Sequence, residues 1–268
     1  MLGLGSSLVT GGAPEEWTPL KLGSTLDLWY QYNTGITSDG GSPDLVSQWD
    51  DQSGNSRHAQ QDTDGLKPSV TGGALDFDDT STSDYLTLAT GDGAIDYTSD
   101  GSGTSQPFTL TVALRKDAND DTDRFIGGDS SEFMGITNSG DRVHIRGSGT
   151  LLAIIFEDDD AGAVQFPGSQ DIVITITRDT SMFIRVYKNG DILTLDSSTT
   201  GYDASNPTKV AMANNSTSMS LQRIGAGAAL DSIKAFDGKM YELIVCDTLL
   251  SDSDRNLAIN YVKDKLGI

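Results

Sequence analysis

The stretch that decides the fold is Phe108-Thr109-Leu110-Thr111-Val112-Ala113-Leu114. Phe108, Leu110, Val112 and Leu114 fall on one side of a period-two pattern, with Thr109, Thr111 and Ala113 on the other. Strict alternation of this kind belongs to a strand with one apolar face. Asp171–Arg178 repeats it, with Ile172, Ile174 and Ile176 interleaved with Val173, Thr175 and Thr177. Met182–Lys188 then runs through Asn189-Gly190 into Asp191–Leu195. Asn-Gly between two apolar runs predicts a hairpin, because a type I′ turn needs positive φ at both central residues.

Working outward, further short β-type runs punctuated by turn residues occur at Leu26–Tyr32, Leu45–Trp49, Ala74–Phe77, Tyr85–Leu88 and Arg124–Ile126. Phe133–Ile136, Arg142–Arg146, Leu151–Phe156, Leu221–Gly225 and Lys239–Cys246 continue the series. A dozen or more strands with almost no helical period predict an all-β, two-sheet antiparallel sandwich. One helix is expected at the C-terminus. Ser251 would cap it, Asp252 and Asp254 suit its positive end, Lys263 and Lys265 its negative end, and Gly267 can stop it. The pairs Leu257/Tyr261 and Ala258/Val262, each spaced i,i+4, give it an apolar stripe that would dock on the sandwich.

Composition agrees. The 268 residues carry 39 Asp+Glu against 18 Lys+Arg, a formal net charge of −21, and only five of the acids are Glu. Asp favours turns and caps, whereas Glu suits helix interiors. The charge speaks against nucleic-acid binding, which needs clustered Lys and Arg, and against adsorption to an anionic membrane. No apolar run approaches the ~20 residues of a membrane span, and Met1–Ala13 has no basic leader. A single cysteine, Cys246, excludes an internal disulfide and reads as a buried inert thiol within Leu243–Cys246.

Residues 1–24 show neither helical nor alternating period, and the first 14 carry no charged side chain. They are read as an N-terminal arm preceding a sandwich domain over 25–268. Leu2, Leu4, Leu8, Val9 and Trp17 are its candidate particle-anchoring residues.

Several ordered segments carry a resemblance to a known family. They are Val46-Ser47-Gln48-Trp49-Asp50-Asp51-Gln52-Ser53-Gly54-Asn55, Ala74–Asp78 with Asp84-Tyr85-Leu86, and Val186–Gly190. Ile224-Gly225-Ala226, Phe236–Val245, Leu250-Ser251-Asp252 and Arg255 through Lys265 complete the set. Together they resemble the concanavalin A-like lectin/glucanase superfamily in its laminin-G-like branch, across residues 26–268. The resemblance implies a jelly-roll sandwich, to which the residues themselves add one C-terminal helix and an extended N-terminal arm. Physical roles for the quoted residues are structural: Trp49, Phe77 and Phe236 as core aromatics, Gly54 in a turn, and Arg255 paired with an acid at the strand–helix junction. The opening Met1–Gly12 is similar to the start of tailed-phage structural proteins.

Chemistry is sparse. Glucanases of the superfamily carry Glu-x-Asp-x-x-Glu, and no pair among the five Glu has that spacing. The two histidines, His58 and His144, lie near no nucleophile-elbow sequence and read as surface residues. No cofactor is expected, and calcium is the only ion the Asp-rich loops bring to mind. Asp117-Ala118-Asn119-Asp120-Asp121-Thr122-Asp123 mimics the start of a calcium loop. It has Thr122 where the sixth-position glycine belongs and Gly128 at the twelfth position, so it reads as a solvated hairpin tip. Tyr202, in Gly201-Tyr202-Asp203, is the best exposed candidate for a sugar contact.

The expectation from sequence is a non-enzymatic phage virion protein, a capsid decoration or tail-associated structural protein held to the major capsid or another virion protein by its arm. A glycan-binding adhesion module for host-surface glycans is the alternative, and a polysaccharide-degrading enzyme the second alternative. A homo-oligomer is compatible with this reading, though nothing in the sequence selects one.

Overall fold

A computed structural model describes residues 16–78, 83–88, 95–96, 106–117, 122–128, 132–137, 142–147, 153–157, 166–197, 199, 201–211, 220–227 and 235–268. Leu2, Leu4, Leu8 and Val9 lie outside the described residues. Two antiparallel sheets face each other as a β-sandwich of the jelly-roll kind. The back sheet runs Asp191–Ile192, Phe183–Lys188, Asp171–Arg178, Phe108–Lys116, Gly238–Cys246, Ala74–Phe77, Ser69–Thr71. Leu26–Tyr30 also pairs with Gly238–Cys246, and Val210–Ala211 with Phe183–Lys188. The front sheet runs Thr194–Leu195, Ala153–Glu157, Arg142–Arg146, Phe133–Thr137, Thr122–Gly127, Arg223–Ile224, Leu86–Leu88, Ala59–Gln60, Val46–Trp49, Ile36–Ser38.

The alternation in the opening stretch has the expected consequence. Phe108, Leu110, Val112 and Leu114 point into the core between the sheets, where they meet Trp49, Phe125, Ile136, Val143 and Ile145 of the front sheet. Thr109 and Thr111 point outward yet are buried too, because the helix side of the back sheet is covered. Their hydroxyls are satisfied: Thr109 Oγ1 donates to Thr248 O (2.9 Å) and accepts from Leu250 N (3.0 Å), and Thr111 bonds Thr175 across the sheet (3.0 Å). Buried hydroxyls need such partners.

The Asn189-Gly190 hairpin forms, with φ of 52° and 103° at its two central residues and Lys188 opposite Asp191. The Trp49–Asn55 motif is structural, as its residues suggest. Trp49 is fully buried and stacks on Tyr30 with ring centroids 5.1 Å apart. Asp51, buried behind it, accepts from the backbone N–H of Trp29 (2.9 Å), Ser53 (2.9 Å) and Arg57 (3.1 Å), which shapes the turn around Gly54.

Asp252–Leu266 is the C-terminal helix, α1, capped by Ser251 Oγ accepting from Asp254 N (3.1 Å) and ended by Gly267 in the left-handed region (φ 72°). Arg255 pairs with Asp252 (2.7 Å) and lies 4.1 Å over the Tyr187 ring. One detail of the expected stripe is corrected. The docking face is Arg255, Ala258, Ile259, Tyr261 and Val262, while Leu257 is 39% exposed. The stripe is one residue wider toward Ile259 because a 3.6-residue period lets both i+3 and i+4 neighbours share a face.

Helix α1 closes the back sheet with help from the end of the N-terminal segment. Pro19–Thr25 forms a short 3-10 segment, and Trp17 packs edge-on against Tyr261 (5.6 Å), which in turn meets Trp29 (6.2 Å). Trp17 is therefore engaged within the domain. Beneath the rings Glu242 is buried, accepts from Trp29 Nε1 (2.7 Å), and has its carboxyl pushed up by burial. Cys246 is buried in this layer, and burial pushes its thiol up to about 12, which makes it inert at neutral pH.

Candidate functional site

Among the described residues, the outer face of the front sheet gathers polar and cationic side chains. Its composition follows from the two-residue period of the strand Arg142–Arg146. Val143 and Ile145 enter the core, so Arg142, His144 and Arg146 must face outward. Register then fixes their neighbours: Phe133 lies opposite Arg146, Gly135 opposite His144, and Thr137 opposite Arg142. Arg124 lies opposite Gly135 from the other side.

One line of paired positions crosses nearly the whole sheet. Thr37 pairs with Gln48, Gln48 with Gln60, Gln60 with Thr87, and Thr87 with Arg223. Arg223 pairs with Gly127, Gly127 with Phe133, Phe133 with Arg146, and Arg146 with Ala153. At ~4.8 Å per strand this row spans roughly 38 Å. None of its nine members is Asp or Glu. Of the chain's nine arginines, four (Arg124, Arg142, Arg146, Arg223) sit on this face of a protein with net charge −21.

The row is held in place at both ends. Gln60 Nε2 donates to Gln48 Oε1 (2.5 Å), and Gln48 Nε2 donates to Asp50 Oδ1 (2.5 Å). At the cationic end, Arg124 lies 4.3 Å over the Phe133 ring, and His144 meets the same ring edge-on at 4.8 Å. Phe133 itself is only 5% exposed. It is a plinth for the polar groups, too covered to stack against a sugar. Arg142 pairs with Asp196 (3.0 Å), and Arg223 donates to Gly227 O (3.3 Å) while lying 5.8 Å over Tyr85.

His144 refines the surface reading: it lies on the outer face, yet is half-buried there. Burial together with Arg124 and Arg146 pushes its imidazole down to about 4. It is therefore neutral at physiological pH, with Nε2 buried and unpartnered. Asp84, just before the strand Leu86–Leu88, is shifted the opposite way. Burial, with smaller pushes from Asp78 and Asp76, raises its carboxyl to about 7, although Asp78 N–H donates to it (3.1 Å).

These two groups have opposing effects on stability. The unfolded chain protonates His144 near its ordinary 6.5, so the stability it contributes is complete above that pH and is lost as pH falls toward 4. Folded Asp84 holds its proton up to about 7 against 3.8 when unfolded, so its contribution is present in acid and is lost as pH rises to 7. Relative to the parent chain, His144→Asn should flatten or reverse any rise of unfolding free energy with pH between 4 and 6.5, and Asp84→Asn should steepen it. Urea titrations at several pH values measure both slopes. Unchanged slopes would contradict the assignments.

The remaining sequence candidates lie elsewhere. Tyr202, half-buried, turns its ring against the sandwich core. Asp123, expected in a solvated tip, is fully buried in an ion pair with Lys116, while 118–121 lie outside the described residues. Among the described residues no cluster of three or more His, Cys, Asp or Glu is placed to hold a metal. A pocket of about 380 Å³ lies on the helix side, lined by Glu16, Trp17, Leu257, Asn260, Tyr261, Asp264 and Lys265. Its two rings meet at 64° and present no flat aromatic wall to a ligand. Sequence reasoning missed the front-face row because its nine members come from nine separate strands. The one local signal was the alternation of Arg142, His144 and Arg146 with Val143 and Ile145.

No protein-family model and no curated protein matches the chain. Solved structures do. A Trypanosoma rangeli sialidase in complex with 2,3-difluorosialic acid aligns at TM-score 0.57 and 10% identity, over 98% of this chain and 36% of that one. A structure of botulinum neurotoxin type C, whose cell entry depends upon interaction with two ganglioside molecules, aligns at 0.51 and 11%, over 91% and 53%. The receptor-binding domain of botulinum neurotoxin D aligns at 0.50 and 13%, over 89% and 53%. The chain thus spans a third to about half of the length of these proteins, and at such identities the likeness is one of fold. The fold shared is the lectin-like β-sandwich.

Proposed function

We propose that the protein is a non-enzymatic glycan-binding module that takes a saccharide along the outer face of its front sheet. The observation that carries this reading is the row from Thr37 to Ala153. Amide, hydroxyl and guanidinium groups are the hydrogen-bonding partners that sugar hydroxyls require, and here they are pre-oriented on rigid strands. The row holds no carboxylate pair of the kind that glycoside hydrolysis needs. Two structural neighbours, one in complex with a sialic acid derivative and one dependent on gangliosides for cell entry, support the choice of ligand class.

A particle-bound virion role draws on Leu2, Leu4, Leu8 and Val9 alone, since Trp17 is engaged within the domain. The glycan reading draws on the described surface, and it is the one we adopt. On a virion such a module would serve attachment to a host surface. The test is a glycan-array screen of the full chain, followed by mapping of the bound saccharide onto the front sheet.

A further inference from the structure

Three of the four front-face arginines have a role inside the fold. Arg124 stacks on Phe133, Arg142 pairs with Asp196, and Arg223 bonds Gly227 O. Arg146 differs. Among the described residues its side chain has no ion-pair or hydrogen-bond partner; its Nε is buried without one, as are those of Arg124 and Arg142. Beside it the Nε2 of His144 is also buried and unpartnered. A buried Nε and a buried imidazole Nε2 without partners cost stability, and Arg146 has no ion pair or ring contact among the described residues to offset that cost. Three cationic side chains (Arg124, Arg142 and Arg146) crowd this end of the sheet. Arg142 is paired with Asp196, in a chain that has more than twice as many acids as bases.

We infer that the saccharide bound here carries an acid group, a carboxylate or a sulfate, and that Arg146 receives it beside His144 and the Arg124–Phe133 stack. This rests on the glycan reading above and narrows it. A guanidinium meets a planar carboxylate or a sulfate face with two parallel N–H donors, which a lysine ammonium cannot do. Burial of Nε directs the terminal amino groups of Arg146 toward the ligand. His144 is uncharged at neutral pH, so the positive charge beside it comes from the arginines. The surrounding negative charge repels other anions, so selection depends on this local patch and weakens as salt screens it.

The experiment measures affinities of the full chain for matched pairs by calorimetry: sialyllactose against lactose, galacturonate oligomers against galactose oligomers, and a sulfated galactan against its desulfated form. The expected result is at least a tenfold preference for one or more acid-bearing members, declining with added sodium chloride. Arg146→Ala should cost the acid-bearing ligand at least tenfold more than its neutral partner, with Arg146→Lys in between and thermal melting little changed. The pair that responds distinguishes a carboxylate from a sulfate. Equal affinity within every pair, or acid binding unaffected by Arg146→Ala, overturns the inference and leaves the glycan reading standing. Binding to none of these saccharides, with capture of polyaspartate instead, overturns both and points to an acidic protein partner.

Discussion

Replacing Asp123 by Asn is expected to destabilise the protein by about 3–5 kcal/mol. Asp123 and Lys116 form an ion pair at 0% and 1% exposure, where water cannot compensate either charge. Lys116 ends a back-sheet strand, Asp123 belongs to a front-sheet strand, and Asp237, whose N–H donates to Asp123 Oδ1 (3.2 Å), precedes another back-sheet strand. The pair therefore clasps the two layers at one end of the sandwich. Removing the carboxylate charge leaves an ammonium in a low-dielectric site, which costs far more than the pair itself contributes. The double variant Lys116→Met with Asp123→Leu, which removes both charges, should recover much of the loss. Urea unfolding of the three proteins measures the difference. A loss under about 1 kcal/mol for Asp123→Asn would show that water reaches the pair.

Gly225→Ala should be nearly as damaging, by about 2–5 kcal/mol from two independent causes. Gly225 has φ of 88°, in the left-handed region where a Cβ is penalised. A Cβ there would also stand 2.3 Å from Cδ1 of Phe77 and 2.9 Å from Asp84 O. Phe77 is locked against Phe236 with centroids 6.0 Å apart, so the ring has little room to retreat. This explains why Ile224-Gly225-Ala226 reads as a motif: its glycine lets the strand bearing Arg223 pass over a core aromatic. Thermal unfolding of Gly225→Ala checks it, and a melting temperature within 2 °C of the parent would contradict the packing described.

How much of this was legible in the sequence depends on how locally each feature is encoded. Phe108–Leu114, Asn189-Gly190 and the Ser251 cap depend on neighbours within a few residues, and all three take the expected form. Trp49, Phe77 and Phe236 could be assigned to the core from their flanking turns. Asp123 could not be read, because its partner is on another strand and an Asp among other Asp residues looks solvated. His144 misled for a related reason: its two arginine neighbours suggested exposure, while burial against Phe133 depends on cross-strand register. The front-face row was invisible for the same cause, since Gln48, Gln60, Arg223 and Arg146 become neighbours only once ten strands are in order. Tyr202 looked exposed because it follows a glycine in a loop, yet its ring is apolar enough to fold back onto the core.

The central claim is that a saccharide lies along the outer face of the front sheet. Amide chemical-shift mapping by NMR on the full chain, titrated with the best saccharide from the array, tests it most directly. The account predicts shifts concentrated in Phe133–Thr137, Arg142–Arg146, Arg223–Ile224 and Ala59–Gln60, with the helix Asp252–Leu266 silent. Shifts confined to Trp17, Tyr261 and their neighbours on the helix side, with the front sheet unmoved, would contradict it.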